Sequence, residues 1–174
     1  MYKLQVTSRE KIEGDGKLRR FGLQDLLFVL TATLVLAADQ LSKHWIREAL
    51  PPGGSYPSAS FPRLTYVTNT GSAFGLFNNQ AFLLAITAVV GVAAILLYYR
   101  YASADHNFLR LSLGLQLGGA VGNLTDRVRF GQVTDFIEVG FWPVFNLADS
   151  AIVVGVVILA FFLLFSAEKQ SSHA

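Results

Sequence analysis

Asp149 stands at the mouth of the most apolar stretch in the chain, in the run Phe145-Asn146-Leu147-Ala148-Asp149-Ser150, and no charged residue follows from Ser150 to Ala167. A carboxylate at the end of such a helix is costly unless it is paired, hydrated or put to use. Asp135 precedes it by fourteen positions, with Pro143 between them, so a hairpin-like return can lay Asp135 over the first turn of that helix. Two carboxylates brought that close cannot both ionise easily and share a proton. One is then a base that activates water, and the other an acid that polarises a carbonyl. That is peptide hydrolysis without a metal or a covalent intermediate. Asn146, three residues before Asp149, shares its helix face and can hydrogen-bond a carboxylate or a substrate.

Other polar residues cluster near apolar stretches. Asp39 and Lys43 are at i, i+4 and can pair on one helix face, either as an interfacial ion pair or in binding. Asn69-Thr70-Gly71-Ser72-Ala73-Phe74-Gly75 has turn chemistry. It reads as a surface turn, with Phe74 and Phe77 dipping into the interface, or as an amide platform for an extended peptide. Asn123, Asp126 and Arg127 fall at i, i+3 and i+4, which predicts a local Asp126–Arg127 contact. The Arg127 fork also suits a lipid phosphate or a peptide carbonyl. Other chemistries fit less well. His44, His106 and His173 are scattered, so no metal site is expected. Ser42 and Lys43 point apart on a helix, and no glycine-rich loop precedes Lys-Ser or Lys-Thr.

The elements that must position these groups are membrane helices. The chain is 52% hydrophobic and 15% charged, against about 25% charged in soluble domains. Four stretches have lengths suited to spanning: about Gly22–Leu41, Gln80–Tyr99, Phe108–Gly122 and beyond, and Asn146–Ser166. Lys3, Arg9, Lys11, Lys17, Arg19, Arg20, Arg100, Arg110 and Lys169 fall on one side. Lys43, Arg47, Arg63, Arg127 and Arg129 fall on the other. Both termini are therefore expected in the cytoplasm. Arg19-Arg20-Phe21 before an apolar run ending Ala37-Ala38-Asp39 could also read as a twin-arginine signal peptide. Its cargo would then carry three more spans, so a retained helix is the better reading.

Residues 1–20 read as a polar cytoplasmic tail, 21–168 as one four-helix membrane domain with an outer β-cradle at about 44–79, and 169–174 as a second tail. Within the cradle, Pro51-Pro52-Gly53-Gly54 supplies turns, and Leu64, Tyr66 and Thr68 alternate as in a short strand. Gly114, Gly118 and Gly122 form a small-residue face for close helix packing. Cysteine is absent, which excludes disulfides and thiol chemistry. The basic balance reflects the cytoplasmic flanks, which anionic lipids attract. It does not call for nucleic acid.

Five segments, in order, resemble bacterial lipoprotein signal peptidase, the signal peptidase II family. They are Asp39-Gln40-Leu41-Ser42-Lys43, Asn69-Thr70-Gly71-Ser72-Ala73-Phe74, Gly118-Gly119-Ala120-Val121-Gly122-Asn123-Leu124-Thr125-Asp126-Arg127, Val133-Thr134-Asp135-Phe136 and Phe145-Asn146-Leu147-Ala148-Asp149-Ser150. The resemblance implies a mainly α integral membrane protein with four transmembrane helices and a small outer-surface β-cradle. It implies a catalytic pair, Asp135 and Asp149, with Asp39, Lys43, Asn69, Gly71, Asn123, Asp126, Arg127 and Asn146 around the substrate site. It implies no cofactor and diacylglyceryl-modified prolipoprotein substrates cut before the lipidated lipobox cysteine. It also implies inhibition by globomycin-type peptides and a place in the bacterial inner membrane with the active site at the outer face. A monomer suffices for that chemistry, although the glycine face could pair between chains. The segment between Asp135 and Asp149 is short beside some members of the family, which would trim the outer lid.

Two other classes compete. A proton- or ion-coupled carrier would place acidic residues near the bilayer midplane, whereas the interiors of the last three spans lack charge. A noncatalytic membrane subunit would use its carboxylates only to pair with Lys43 and Arg127.

Overall fold

The computed structural model describes Gly22 and residues 25–71, 81–101 and 106–171. The expectations for the tail 1–20, for Phe74 and Phe77 and for His173 lie outside those residues. Four long helices carry the fold: α1 (Leu26–Ala49), α2 (Ala81–Tyr101), α3 (Asn107–Phe130) and α4 (Leu147–Ser171). Three short strands, β1 (Ser55–Tyr56), β2 (Arg63–Asn69) and β3 (Val133–Glu138), form an antiparallel sheet in the order β1-β2-β3. Helices α1, α2 and α4 are long and apolar enough to cross a membrane. The fourth helix, α3, has 24 residues, about 36 Å at the usual rise, and packs against all three others. Its central place explains why it carries a more polar sequence than its neighbours. The outward faces of the other three remain apolar, with Leu34, Phe82 and Leu164 all exposed, as lipid requires.

Helix α1 does not stop near Leu41 but runs to Ala49, so residues 44–49 are helix and not cradle. Lys43 and Ile46 are fully buried, so the polar side chains that suggested a boundary point inward. The helix ends where Leu50 turns extended ahead of Pro51-Pro52, which cannot continue it. Helix α3 likewise runs on to Phe130 and closes on Gly131, at φ +71°, whose N–H reaches the Arg127 carbonyl at 3.0 Å. The glycine face of α3 is filled from within the chain. A Cβ on Gly118 would stand 2.6 Å from the Ala32 carbonyl oxygen, and one on Gly122 would stand 2.6 Å from Asp39 Oδ2. The far end of the bundle is closed by Phe28, Tyr99, Leu109 and Leu113, with the Tyr99 hydroxyl donating to Asp25.

The sheet sits where α1 and α3 end and α4 begins. The β2 strand expected from the alternation of Leu64, Tyr66 and Thr68 is present, with an irregularity between Leu64 and Val67. Its partner β3 extends the sheet beyond the expected segment. Asp135 lies opposite Val67, and Asn69 opposite Val133. The chain then turns back through a bridge between Ile137 and Phe145 to enter α4.

Candidate active site

Two different devices deliver the two aspartates to one place. Asp135 is carried by β3 and is 3% exposed. Asp149 lies in the first turn of α4, where Asn146 caps the helix. Asn146 Oδ1 accepts from the Asp149 N–H at 2.9 Å, and Asp149 Oδ2 accepts from the Asn146 N–H at 3.3 Å. This reciprocal capping box, with an aspartate at its third position, fixes the Asp149 side chain through the helix start. Both carboxylates open on a cavity of about 550 Å³. Residues 67–71 of the β2 end, Trp142-Pro143-Val144-Phe145 and Ile152 and Val153 of α4 form its walls.

Three asparagines join the pair, and each is locked by a partner that can only donate. Asn69 Oδ1 accepts from the Gly71 N–H at 2.9 Å, which turns its NH2 group on Asp135 Oδ2 at 3.0 Å. This is the Asx turn latent in Asn69-Thr70-Gly71. Asn146, committed through Oδ1 to the backbone of Asp149, points its Nδ2 at Asp135 Oδ1, 2.6 Å away. Asn123 Oδ1 faces the Lys43 ammonium at 2.9 Å, so its Nδ2 donates to Asp149 Oδ1 at 2.7 Å. The carboxamide Nδ2 of Asn146 also reaches Asn123 Oδ1 at 3.1 Å, closing a chain from one aspartate to the other. Asn69, Gly71, Asn123 and Arg127 line the cavity with the aspartates. The guanidinium of Arg127 is within electrostatic reach of Asp149, Asp135 and Asp126.

Asp39, Lys43, Asp126 and Asn146 do not line the cavity; they form the layer behind it. Lys43 Nζ lies 2.9 Å from Asp39 Oδ2 and 3.4 Å from Asp126 Oδ2, and all three side chains are fully buried. Asp39 Oδ1 accepts from the Ala148 N–H at 3.0 Å, so α1 helps cap α4. The Asp126–Arg127 contact expected from the spacing is replaced. Asp126 pairs with Lys43, lies 3.9 Å from Arg47 Nη1 and accepts the Thr134 N–H at 3.0 Å. Adjacent residues on a helix point apart, and the fold supplies α1 cations on the Asp126 side. Two further side chains, not among the expected site residues, join this layer. Gln40 Nε2 lies 3.1 Å from Asp39 Oδ2 and 3.2 Å from Asp126 Oδ1. Arg47 donates to Thr134 Oγ1 at 2.9 Å, beside Asp135. The signal for Arg47 was its spacing, since Asp39, Lys43 and Arg47 recur every four residues on one face of α1.

Burial pushes the Asp135 carboxyl up to about 6 from its ordinary 3.8. The Asn69 and Asn146 amides oppose that rise, and the Asp149 charge adds to it. Among the described residues, no three His, Asp or Glu side chains converge to hold a metal ion. What the arrangement can do is present two carboxyl groups, that of Asp135 raised by burial, to one cavity beside a guanidinium.

The family description Signal peptidase (SPase) II matches residues 31–165. The chain belongs to the signal peptidase II family. A lipoprotein signal peptidase of Moorella thermoacetica is 54% identical over 144 residues, covering 82% of this chain and 96% of that one. One from Caldanaerobacter subterraneus subsp. tengcongensis is 44% identical over 140 residues, covering 79% and 95%. Among solved structures, a bacterial membrane enzyme determined by the in meso method at 2.3 Å matches with a TM-score of 0.77. It is 27% identical, and the match covers 82% of this chain and 90% of that one. A second, at 1.9 Å, matches with a TM-score of 0.72 and 29% identity, covering 79% and 92%. The four-helix architecture with its small sheet, expected for a signal peptidase II, is the architecture present.

Proposed function

We propose that this protein is an aspartic endopeptidase that removes signal peptides from diacylglyceryl-modified prolipoproteins, cutting before the lipidated cysteine. The observation that carries the reading is the meeting of Asp135 and Asp149 on one cavity, joined through Asn146 and Asn123. Asp135, whose proton is held up to about pH 6 by burial, is the acid that protonates the scissile carbonyl oxygen. Asp149 is the base that takes a proton from the attacking water. The gem-diol that forms then collapses: Asp149 gives its proton to the nitrogen, the C–N bond breaks, and one diol hydroxyl returns a proton to Asp135, which leaves a carboxyl and a free amine. The Asn69–Gly71 edge and Arg127 hold the peptide chain beside the pair through its carbonyl and amide groups.

The lysine and arginine asymmetry supports cytoplasmic termini in a bacterial inner membrane and a dyad at the outer face. There a substrate anchored by its acyl chains presents its scissile bond at the lipid surface. Filling of the α3 glycine face by α1 of the same chain supports a monomer. Globomycin-type peptides would occupy the same cavity. Mass spectrometry of the products from a lipidated precursor peptide tests the reading, with an unlipidated copy beside it. The reading predicts a cut immediately before the lipid-bearing cysteine of the first peptide and little turnover of the second. Equal cleavage of both, or cleavage elsewhere, contradicts it.

A further inference from the structure

We propose that Lys43 is a positioning residue for the hydrolysis: its ammonium locks the Asn123 carboxamide with the NH2 group turned on Asp149. The inference rests on the dyad reading given above. An asparagine carboxamide has two faces of opposite character, and a half-turn exchanges them. Left to itself, Asn123 could present either its oxygen or its NH2 group to Asp149. An oxygen there would repel the carboxylate, whereas the NH2 group supports its charge. Lys43, at a shorter distance than the Asn146 NH2 group that approaches the same atom, favours the second because an ammonium donates and never accepts. The Asn123 atom 2.9 Å from Lys43 Nζ must therefore be the oxygen, and the atom 2.7 Å from Asp149 Oδ1 must be the nitrogen.

The same lock reaches the second aspartate. With its oxygen turned toward Lys43, Asn123 also accepts from Asn146 Nδ2, which lies 2.6 Å from Asp135 Oδ1. Lys43 itself has no exposure and no access to the cavity, so it acts on the pair only through Asn123. Its own charge is met by Asp39 on α1 and Asp126 on α3. The other charged groups of this cluster are Asp149 of α4 and Arg127 of α3, both in contact with Asn123, Asp135 of β3, reached through Asn146, and Arg47 of α1, which lies beside Asp126. A plain ion pair between helices would need Asp39, Asp126 and Lys43 alone. The contact to Asn123 is what that structural role leaves unexplained.

The test uses the full chain in detergent and a diacylglyceryl-modified lipobox peptide. Asn123→Asp keeps the shape and still accepts from Lys43, but it has no NH2 group to offer Asp149. It is expected to lower kcat about 100-fold with KM and thermal stability near those of the parent, and to move the pH–rate profile to higher pH. Lys43→Met is expected to lower kcat in the parent background but to have little further effect on kcat in Asn123→Ala. That non-additivity marks a residue acting through another. If Lys43→Met does not fold, Lys43→Gln takes its place in the same cycle, because a carboxamide there can either donate or accept and no longer fixes Asn123. An unchanged profile with unchanged kcat in Asn123→Asp overturns the proposal. So do independent, multiplying losses from Lys43→Met and Asn123→Ala. If Asp135→Asn or Asp149→Asn retains activity in the same assay, the dyad reading itself fails. If both are inactive while Asn123→Asp keeps the parent profile, the positioning role alone fails.

Discussion

Replacing Asp135 by Asn should make the folded protein less sensitive to alkaline pH while it abolishes turnover. The folded-state pKa of Asp135, about 6, exceeds its ordinary 3.8. The folded protein therefore binds more protons than the unfolded chain between those values, and stability is lost as pH rises through that window. At about 1.4 kcal/mol per pH unit, the interval from 3.8 to about 6 is worth about 3 kcal/mol. The residue is 3% exposed, so solvent screening removes little of it. Asn cannot ionise and escapes this loss. It also has one acceptor oxygen where Asp has two, so one of the Asn69 and Asn146 NH2 groups meets an NH2 group instead. That mismatch costs about 1–2 kcal/mol at every pH. The variant should then be slightly less stable than the parent at pH 4 and slightly more stable at pH 8, a swing of about 3 kcal/mol. At roughly 2–4 °C per kcal/mol for a chain of this size, the difference in Tm should move by about 6–12 °C across the range. Thermal unfolding of both proteins in one detergent, from pH 4 to 8, measures it, because the remaining carboxylates titrate in both and cancel in the difference. Parallel stability curves would refute the claim that Asp135 is a buried carboxyl with a raised pKa.

Asn146→Ala removes both the helix cap and the bridge to Asp135; stability should fall by about 1 kcal/mol and kcat about 100-fold, read by unfolding and peptide cleavage. Gly118→Ala forces a Cβ against the Ala32 carbonyl and should destabilise by about 1–3 kcal/mol. Gly91→Ala, where the added Cβ meets nothing, should be neutral or stabilise by up to about 1 kcal/mol, and the two measured together separate packing from propensity. Because Asp135 must carry a proton to act as the acid, kcat/KM should decline above about pH 6. A flat profile up to pH 8 would exclude it from that role.

The carboxylates were legible because charge is conspicuous beside apolar helices, and the capping box of Asn146 and Asp149 is a local pattern. The Asx turn of Asn69 and Gly71 is equally local. The Asp126 partners were not legible, because Lys43 and Arg47 approach from α1, a helix about eighty positions away in the chain. The same contacts hid the end of α1. Polar residues that face a buried network look like a helix terminus when the network is not known. Strand β3 escaped for a different reason. Val133, Thr134, Asp135 and Phe136 are all buried, so the two-residue alternation that marks a half-exposed strand is missing. The glycine face announced close packing but not its partner, which is α1 for Gly118 and α4 for Gly119.

The most direct test of the central claim is cleavage of a diacylglyceryl-modified lipobox peptide by the purified protein, with Asp135→Asn and Asp149→Asn measured beside it in the presence of a chelator. The account predicts that the parent cuts before the lipidated cysteine and that each variant, still folded by thermal unfolding, is slower by about a thousandfold or more. A folded variant that retains near-parental turnover would contradict the assignment of Asp135 and Asp149 as the catalytic pair.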